Sequence, residues 1–197
     1  FEGLGVPLVT VERFLESGTA AVECDNRQGG RLAAKHLLER GCRKVVYLGG
    51  ENEENMPADD RALGFMEVCL REGLEFLDPG REKDAGLYAS LDYHSYIEKV
   101  LEAHPEIDGI FAGSDVIAAQ VIQICGKKGI RIPEQVKVVG FDDCGLASMT
   151  TPSITTIRQP VDEMAQLAVD MLIRANRNEL VPSRTTLPVT LIRRETT

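Results

Sequence analysis

A chain of 197 residues, 43% apolar and 27% charged, is long enough for a sizeable core and has the balance of an ordinary globular protein. A formal net charge of -9 argues against the concentrated Lys and Arg that nucleic-acid phosphates require, and no apolar run reaches the length of a membrane span. FEGLGVPLV, at the N-terminus, has neither an initiating Met nor a cleavable signal, so the chain is expected to be a fragment.

In chain order, Val6 to Val11 reads as a strand that ends at Glu12 and Arg13, and Ala20 to Cys24 as a second one closed by Asp25 and Asn26. The period then changes: Ala33 with Leu37, and Ala34 with Leu38, share one helical face, with Gly41 as the stop. Lys44 to Leu48 is a strand stopped by Gly49 and Gly50. After the polar loop ENEENMPADD, Ala62, Phe65, Met66, Cys69 and Leu70 fall on one buried stripe that ends at Gly73.

Residues 74 to 91 are weakly patterned, and a strand is expected there only from the alternation. Tyr93, Tyr96, Ile97, Val100, Leu101 and His104 make another helical stripe, broken by Pro105. Ile107 to Ala112 is a strand whose turn, Gly113 to Asp115, opens a helix with Ser114 as N-cap; Gly129 and Pro133 end it. A last helix carries Val161, Met164, Ala165, Ala168 and Leu172, and Leu187 to Ile192 is a last strand. Strand and helix alternating at this spacing argue a doubly wound α/β fold with mainly parallel sheets.

The central stretch, KVVGFDDCGLASMTTPSITTIRQP from Lys137 to Pro160, puts a β-branched strand, an acidic turn and a return crossing together. In open α/β sheets ligands sit outside the carboxyl ends of the strands, which makes Asp142 the first candidate. Glu12, Asp25 and Ser114 also stand where strands give out, and Arg61 opens a helix after Gly49 and Gly50. A carboxylate beside a guanidinium fork suits a neutral polyol, whose hydroxyls both donate and accept. The plainer readings are that Asp142 terminates a strand, Arg61 pairs with Asp59 or Asp60 at the surface, and Asp25 and Ser114 cap helices.

Eight segments, VPLVTVER, DNRQGGRLAAKHLLERG, VVYLGG, DRALGF, IDGIFAGSDVIAA, GIRIPEQVKVVGFDD, PSITTIRQP and LPVTLIRRET, come in an order that resembles the lactose-repressor/galactose-repressor (LacI/GalR) family of bacterial transcription regulators. The resemblance implies two Rossmann-like subdomains of the type 1 periplasmic-binding-protein kind, joined by three crossings, with the effector between them. It assigns residues 1–21 and 158–183 to a first, incomplete subdomain, and residues 22–157 and 184–197 to the second. By resemblance Arg61 and Asp142 are the main effector-binding residues; Asp25, Glu12 and Gln159 line the cleft or hinge, and Tyr88 supplies an aromatic platform. Ser114 departs from the Asn that many relatives carry there.

The resemblance further implies a cytoplasmic regulator that senses a small effector, a sugar, and acts as a homodimer. Operator DNA would be bound by a helix-turn-helix region that precedes these residues. A solute-binding protein for sugar uptake is the alternative, and a sugar-processing enzyme a third reading. Against catalysis, Ser114 lacks the G-x-S-x-G setting of a nucleophile elbow and Gly49-Gly50 lacks a nucleotide-binding pattern. No cofactor is expected, and the spacing of His36, His94 and His104 speaks against a metal. Cys24, Cys42, Cys69, Cys125 and Cys144, odd in number and without a C-x-x-C pair, read as reduced thiols used as small core residues.

Overall fold

The computed structural model describes residues 6–13, 15, 19–49, 57–77 and 91–197. Its elements are β1 (Val9–Val11), β2 (Ala20–Cys24), α1 (Asn26–Glu39), β3 (Lys44–Leu48), α2 (Pro57–Glu72), β4 (Glu75–Leu77), α3 (His94–Ala103), β5 (Gly109–Ala112) and α4 (Asp115–Lys128). They continue with β6 (Lys137–Asp142), α5 (Gly145–Met149), β7 (Thr155–Arg158), α6 (Val161–Asn176), β8 (Arg184–Leu187) and β9 (Thr190–Ile192). Two sheets result: a three-stranded one in the order β1-β2-β8 and a six-stranded one in the order β4-β3-β5-β6-β7-β9. All pairings are parallel except β7 with β9.

The large sheet is covered on both faces, and its sequence shows why. Side chains alternate along a strand, so Val45, Phe111, Val139 and Phe141 point to one side while Val46, Ile110, Ala112 and Val138 point to the other. The first set packs with Phe65, Val68 and Cys69 of α2 and Ala33, Ala34 and Leu37 of α1. The second packs with Tyr96, Ile97 and Val100 of α3 and Val121, Ile124 and Cys125 of α4. Apolar residues are therefore needed at every position, which is what a continuous apolar run signals. The expected doubly wound α/β fold with mainly parallel sheets is the one observed.

Two glycines set the distance between α1 and α2. A Cβ on Gly30 would collide with the Arg61 backbone carbonyl, and one on Gly64 with the Arg27 carbonyl. The helices touch backbone to backbone there, which fixes the height at which Arg61 leaves α2.

Several sequence expectations shift. The first strand is only Val9–Val11, and the final run divides into β8 and β9, which lie in different sheets, with Pro188 between them. Proline has no N–H to offer a ladder, so the chain changes sheets at that point. The expected crossings after residues 21 and 183 come later, because residues 22–24 and 184–187 pair within the small sheet; Arg158, expected in the first subdomain, pairs with Asp142 in the large one. The buried stripe of α2 is rotated: Phe65, Val68 and Cys69 are buried, whereas Leu70 is 74% exposed. On α6 the buried residues are Met164 and Met171, with Val161 and Leu172 turned outward. Four of the five thiols are buried, and Cys144 is exposed.

Candidate functional site

Arg61 is where the two sheets meet. Its guanidinium carbon lies 3.6 Å from the centroid of the Phe141 ring, so one face of the cation rests on the aromatic end of β6. Its Nε donates to Asn26 Oδ1 at 2.6 Å, its Nη1 donates to the Gly113 carbonyl at 2.7 Å, and its Nη2 stands 4.0 Å from Glu12 Oε2. The side chain is only 11% exposed, so Arg61 turns inward rather than pairing at the surface. Residues just past β1 and β5, with one from α1 and one from β6, hold one cation in one orientation.

Asp142 ends β6 in an unusual backbone conformation. Its φ is 113° and that of Asp143 is 58°, both in the region that favours glycine. Such a turn persists only where its surroundings hold it. Asp143 accepts from Arg158 Nε and Arg194 Nη2, each at 2.6 Å, and the Cys144 N–H donates to Asp115 Oδ2 at 2.9 Å. Asp115 is fully buried and also accepts from the Thr156 hydroxyl at 2.6 Å. Gln159 Nε2 donates to Asp142 Oδ1 at 2.6 Å. Burial pushes the Asp142 carboxyl up to about 6, although the Arg61 charge and the Gln159 hydrogen bond pull the other way.

Glu12, just past β1 with φ 57°, accepts from the Cys24 backbone N–H at 2.6 Å and from Asn26 Nδ2 at 3.2 Å. Burial, with the Glu12 carboxylate alongside, keeps the Cys24 thiol protonated. Asp25 caps α1 by accepting from the Gln28 N–H at 2.7 Å, and Ser114 caps α4 by accepting from the Ile117 N–H at 3.3 Å. The capping roles of these two residues are thus real, and both stand beside the cluster, since Asn26 follows one and Gly113 precedes the other. Tyr88 lies outside the described residues.

Arg61, Asp142, Glu12 and Gln159 come together as one group, with Asp25 and Ser114 at its margin. Sequence reasoning missed Asn26, Phe141 and the Gly113 carbonyl, which hold Arg61. Asn26 reads from the sequence only as the end of a strand, and a carbonyl has no sequence signal. The group carries carboxylates at Glu12 and Asp142 against one guanidinium, which disfavours an anionic ligand and suits one rich in hydroxyls. Among the described residues no set of three or more His, Cys, Asp or Glu side chains is placed to hold a metal ion, and no helix is long and apolar enough to cross a membrane.

Residues 34–197 match the family model described as periplasmic binding protein-like domain. The ribose operon repressor of Halalkalibacterium halodurans is 35% identical over 203 residues, covering 100% of this chain and 58% of the repressor. The HTH-type transcriptional regulator CelR of Thermobifida fusca is 31% identical, covering 95% of this chain and 54% of that protein. The chain thus spans between half and three-fifths of the length of these relatives. A solved periplasmic binding protein/LacI transcriptional regulator from Alkaliphilus metalliredigens, complexed with D-xylulofuranose, superposes with a TM-score of 0.83 at 30% identity, covering 100% of this chain and 73% of that one. The chain belongs to the periplasmic binding protein-like domain family, in its LacI-type regulator branch.

Proposed function

We propose that this chain is the ligand-sensing core of a cytoplasmic LacI/GalR-type transcription regulator, and that it takes a small neutral sugar at the junction of the two sheets. The observation that carries the reading is the convergence of Arg61 and Asp142, fixed by Phe141 and Gln159, at the carboxyl ends of parallel strands. Arg61 supplies N–H donors and Asp142 a carboxylate acceptor, the pair a sugar hydroxyl needs. Asp25, Ser114, Glu12 and Gln159 line or support the site, and Tyr88 is proposed as its aromatic platform. The relatives support a sugar in particular: one is named for a ribose operon and another was solved with D-xylulofuranose.

The two lobes divide at the points where the chain passes between the sheets. A sugar bridging them favours one lobe orientation, and it shifts that equilibrium only by its difference in affinity for the two states. The partners that go with this reading are a second copy of the chain, in a homodimer, and operator DNA bound by a helix-turn-helix region. No catalytic step is assigned to the site: the relatives are regulators and repressors by name. The test is a thermal-shift and calorimetric screen with D-ribose, D-xylulose and their phosphates on the 197-residue chain. A neutral sugar is expected to raise Tm, and Arg61→Ala and Asp142→Ala each to abolish the shift. Full affinity in both variants overturns the placement of the site.

A further inference from the structure

Asn26 joins the small sheet to the ligand-facing arginine. It is 5% exposed, and its amide is used on both sides: Oδ1 accepts from Arg61 Nε at 2.6 Å, while Nδ2 donates to Glu12 Oε2 and to the Cys24 carbonyl, each at 3.2 Å. Only one orientation of the amide satisfies all three partners. Turned over, it would set N–H against N–H at Arg61 and oxygen against the Glu12 carboxylate and the Cys24 carbonyl. Glu12 in turn is held by the Cys24 N–H at 2.6 Å, at the end of the small sheet.

From this geometry we infer that Glu12, Asn26 and Arg61 form a directional hydrogen-bond relay in which Asn26 is the positioning residue for Arg61 and Glu12 acts through it rather than by touching the ligand. A change at Glu12 in the small lobe therefore reaches the guanidinium on α2 by turning one amide, in addition to its direct charge 4.0 Å from Nη2. The consequence for affinity rests on the reading of Arg61 as a ligand donor; the alignment of Arg61 does not.

The relay predicts an exchange of chemistry that no independent pair of contacts would show. Asn26→Asp keeps the acceptor for Arg61 but faces the Glu12 carboxylate with a second carboxylate. Glu12→Gln places a donor opposite the Asn26 donor, and the amide of Asn26 must turn away from Arg61 or leave a clash. Together, Glu12→Gln and Asn26→Asp restore one donor facing one acceptor at the Glu12–Asn26 and Asn26–Arg61 joins, with the same total charge, while the Cys24 carbonyl loses its donor wherever Asp stands at 26.

The experiment has two arms on the 197-residue chain. In the ligand-free protein, hydrogen exchange of Arg61 Nε–H is followed by NMR, with Arg61→Lys identifying the signal. Slow exchange is expected in the parent, in Asn26→Asp and in the double variant, which all keep an acceptor for Arg61 Nε–H, and fast exchange in Glu12→Gln alone. In the second arm D-ribose is titrated calorimetrically; Glu12→Gln is expected to bind about tenfold or more weakly, and the double variant to recover part of the loss. A double variant whose Arg61 exchanges as fast as in Glu12→Gln overturns the relay whatever the sugar does. A parent that binds no D-ribose but shows the expected exchange pattern overturns the ribose reading and upholds the relay.

Discussion

Both lobes centre on parallel strands, and they differ in what covers them. In the six-stranded lobe helices lie on both faces, and Phe65, Phe111, Phe141, Leu48, Ile110 and Ile124 are all completely buried. In the three-stranded lobe α6 packs on β1 and β2, yet Val11 is 47%, Val161 60%, Val169 57% and Ile173 48% exposed. A groove lined by Val6, Pro7, Leu172, Ile173, Asn176 and Arg177 opens on that side. An apolar periodicity therefore states which face of an element prefers burial, and the number of neighbouring layers decides whether burial follows. The division also bears on function: the well-packed lobe carries Arg61 and Asp142, and the exposed one carries Glu12, which orients Arg61 from outside it.

Predictions follow from that contrast. The largest effect is expected for Phe111→Ala, which empties the centre of an aromatic group with Tyr47, Phe65 and Phe141 at ring-centroid distances of 5.2, 5.2 and 6.4 Å. A loss of about 3–5 kcal/mol is expected in denaturant unfolding. Gly30→Ala comes next, at about 1–3 kcal/mol, because the new methyl meets the Arg61 backbone rather than a side chain that is able to move. It should also weaken ligand binding, whereas an equally destabilising change in α3 should not; equal binding losses from both would remove the link between helix spacing and the site.

Asp142→Asn is expected to raise Tm at pH 7 by a few degrees while abolishing the ligand shift. The sign follows from its carboxyl, raised from 3.8 to about 6. Between those values the folded chain holds a proton that the unfolded chain has released, so this group makes stability fall as pH rises from about 4 to about 6. Above pH 6 the full cost is present, and the Asn variant escapes it. His36 acts in the opposite sense: burial lowers it from 6.5 to about 4, so its contribution is lost as pH falls through that window. Tm measured against pH should therefore rise more steeply between pH 4 and 6 in Asp142→Asn than in the parent; parallel curves would count against the buried carboxylate.

The smallest effect is expected for Val169→Ser on the exposed side of α6, within about 0.5 kcal/mol in the same unfolding experiment. A cost comparable to Phe111→Ala would mean that this face is covered in solution, and the contrast between the lobes would vanish.

Much of the fold was legible because it is local. Runs such as Lys44–Leu48 and Gly109–Ala112 are apolar at successive positions and stop at glycine, which points to strands covered on both faces. Ser114 and Gly129 mark the two ends of α4 by cap chemistry alone, Gly129 with a φ of 72°. Asp142 and Glu12 are nameable because they stand at strand ends, Arg61 because it opens a helix after Gly49 and Gly50, and Gln159 only through the family resemblance. The buried stripes of α2 and α6 lie about one position from the expected ones, since Leu70 and Leu172 are as apolar as their buried neighbours and only the helix's placement separates them.

By itself, then, the sequence determined the alternation of strands and helices, the caps and the polar residues at strand ends, because each depends on side chains a few positions apart. Tertiary structure decided which sheet each strand joined, that β8 and β9 separate at Pro188, and that Asn26 stands between Glu12 and Arg61. These outcomes rest on hydrogen bonds between residues 14 and 35 positions apart, or on strands as distant as β2 and β8, whose partners no local pattern specifies.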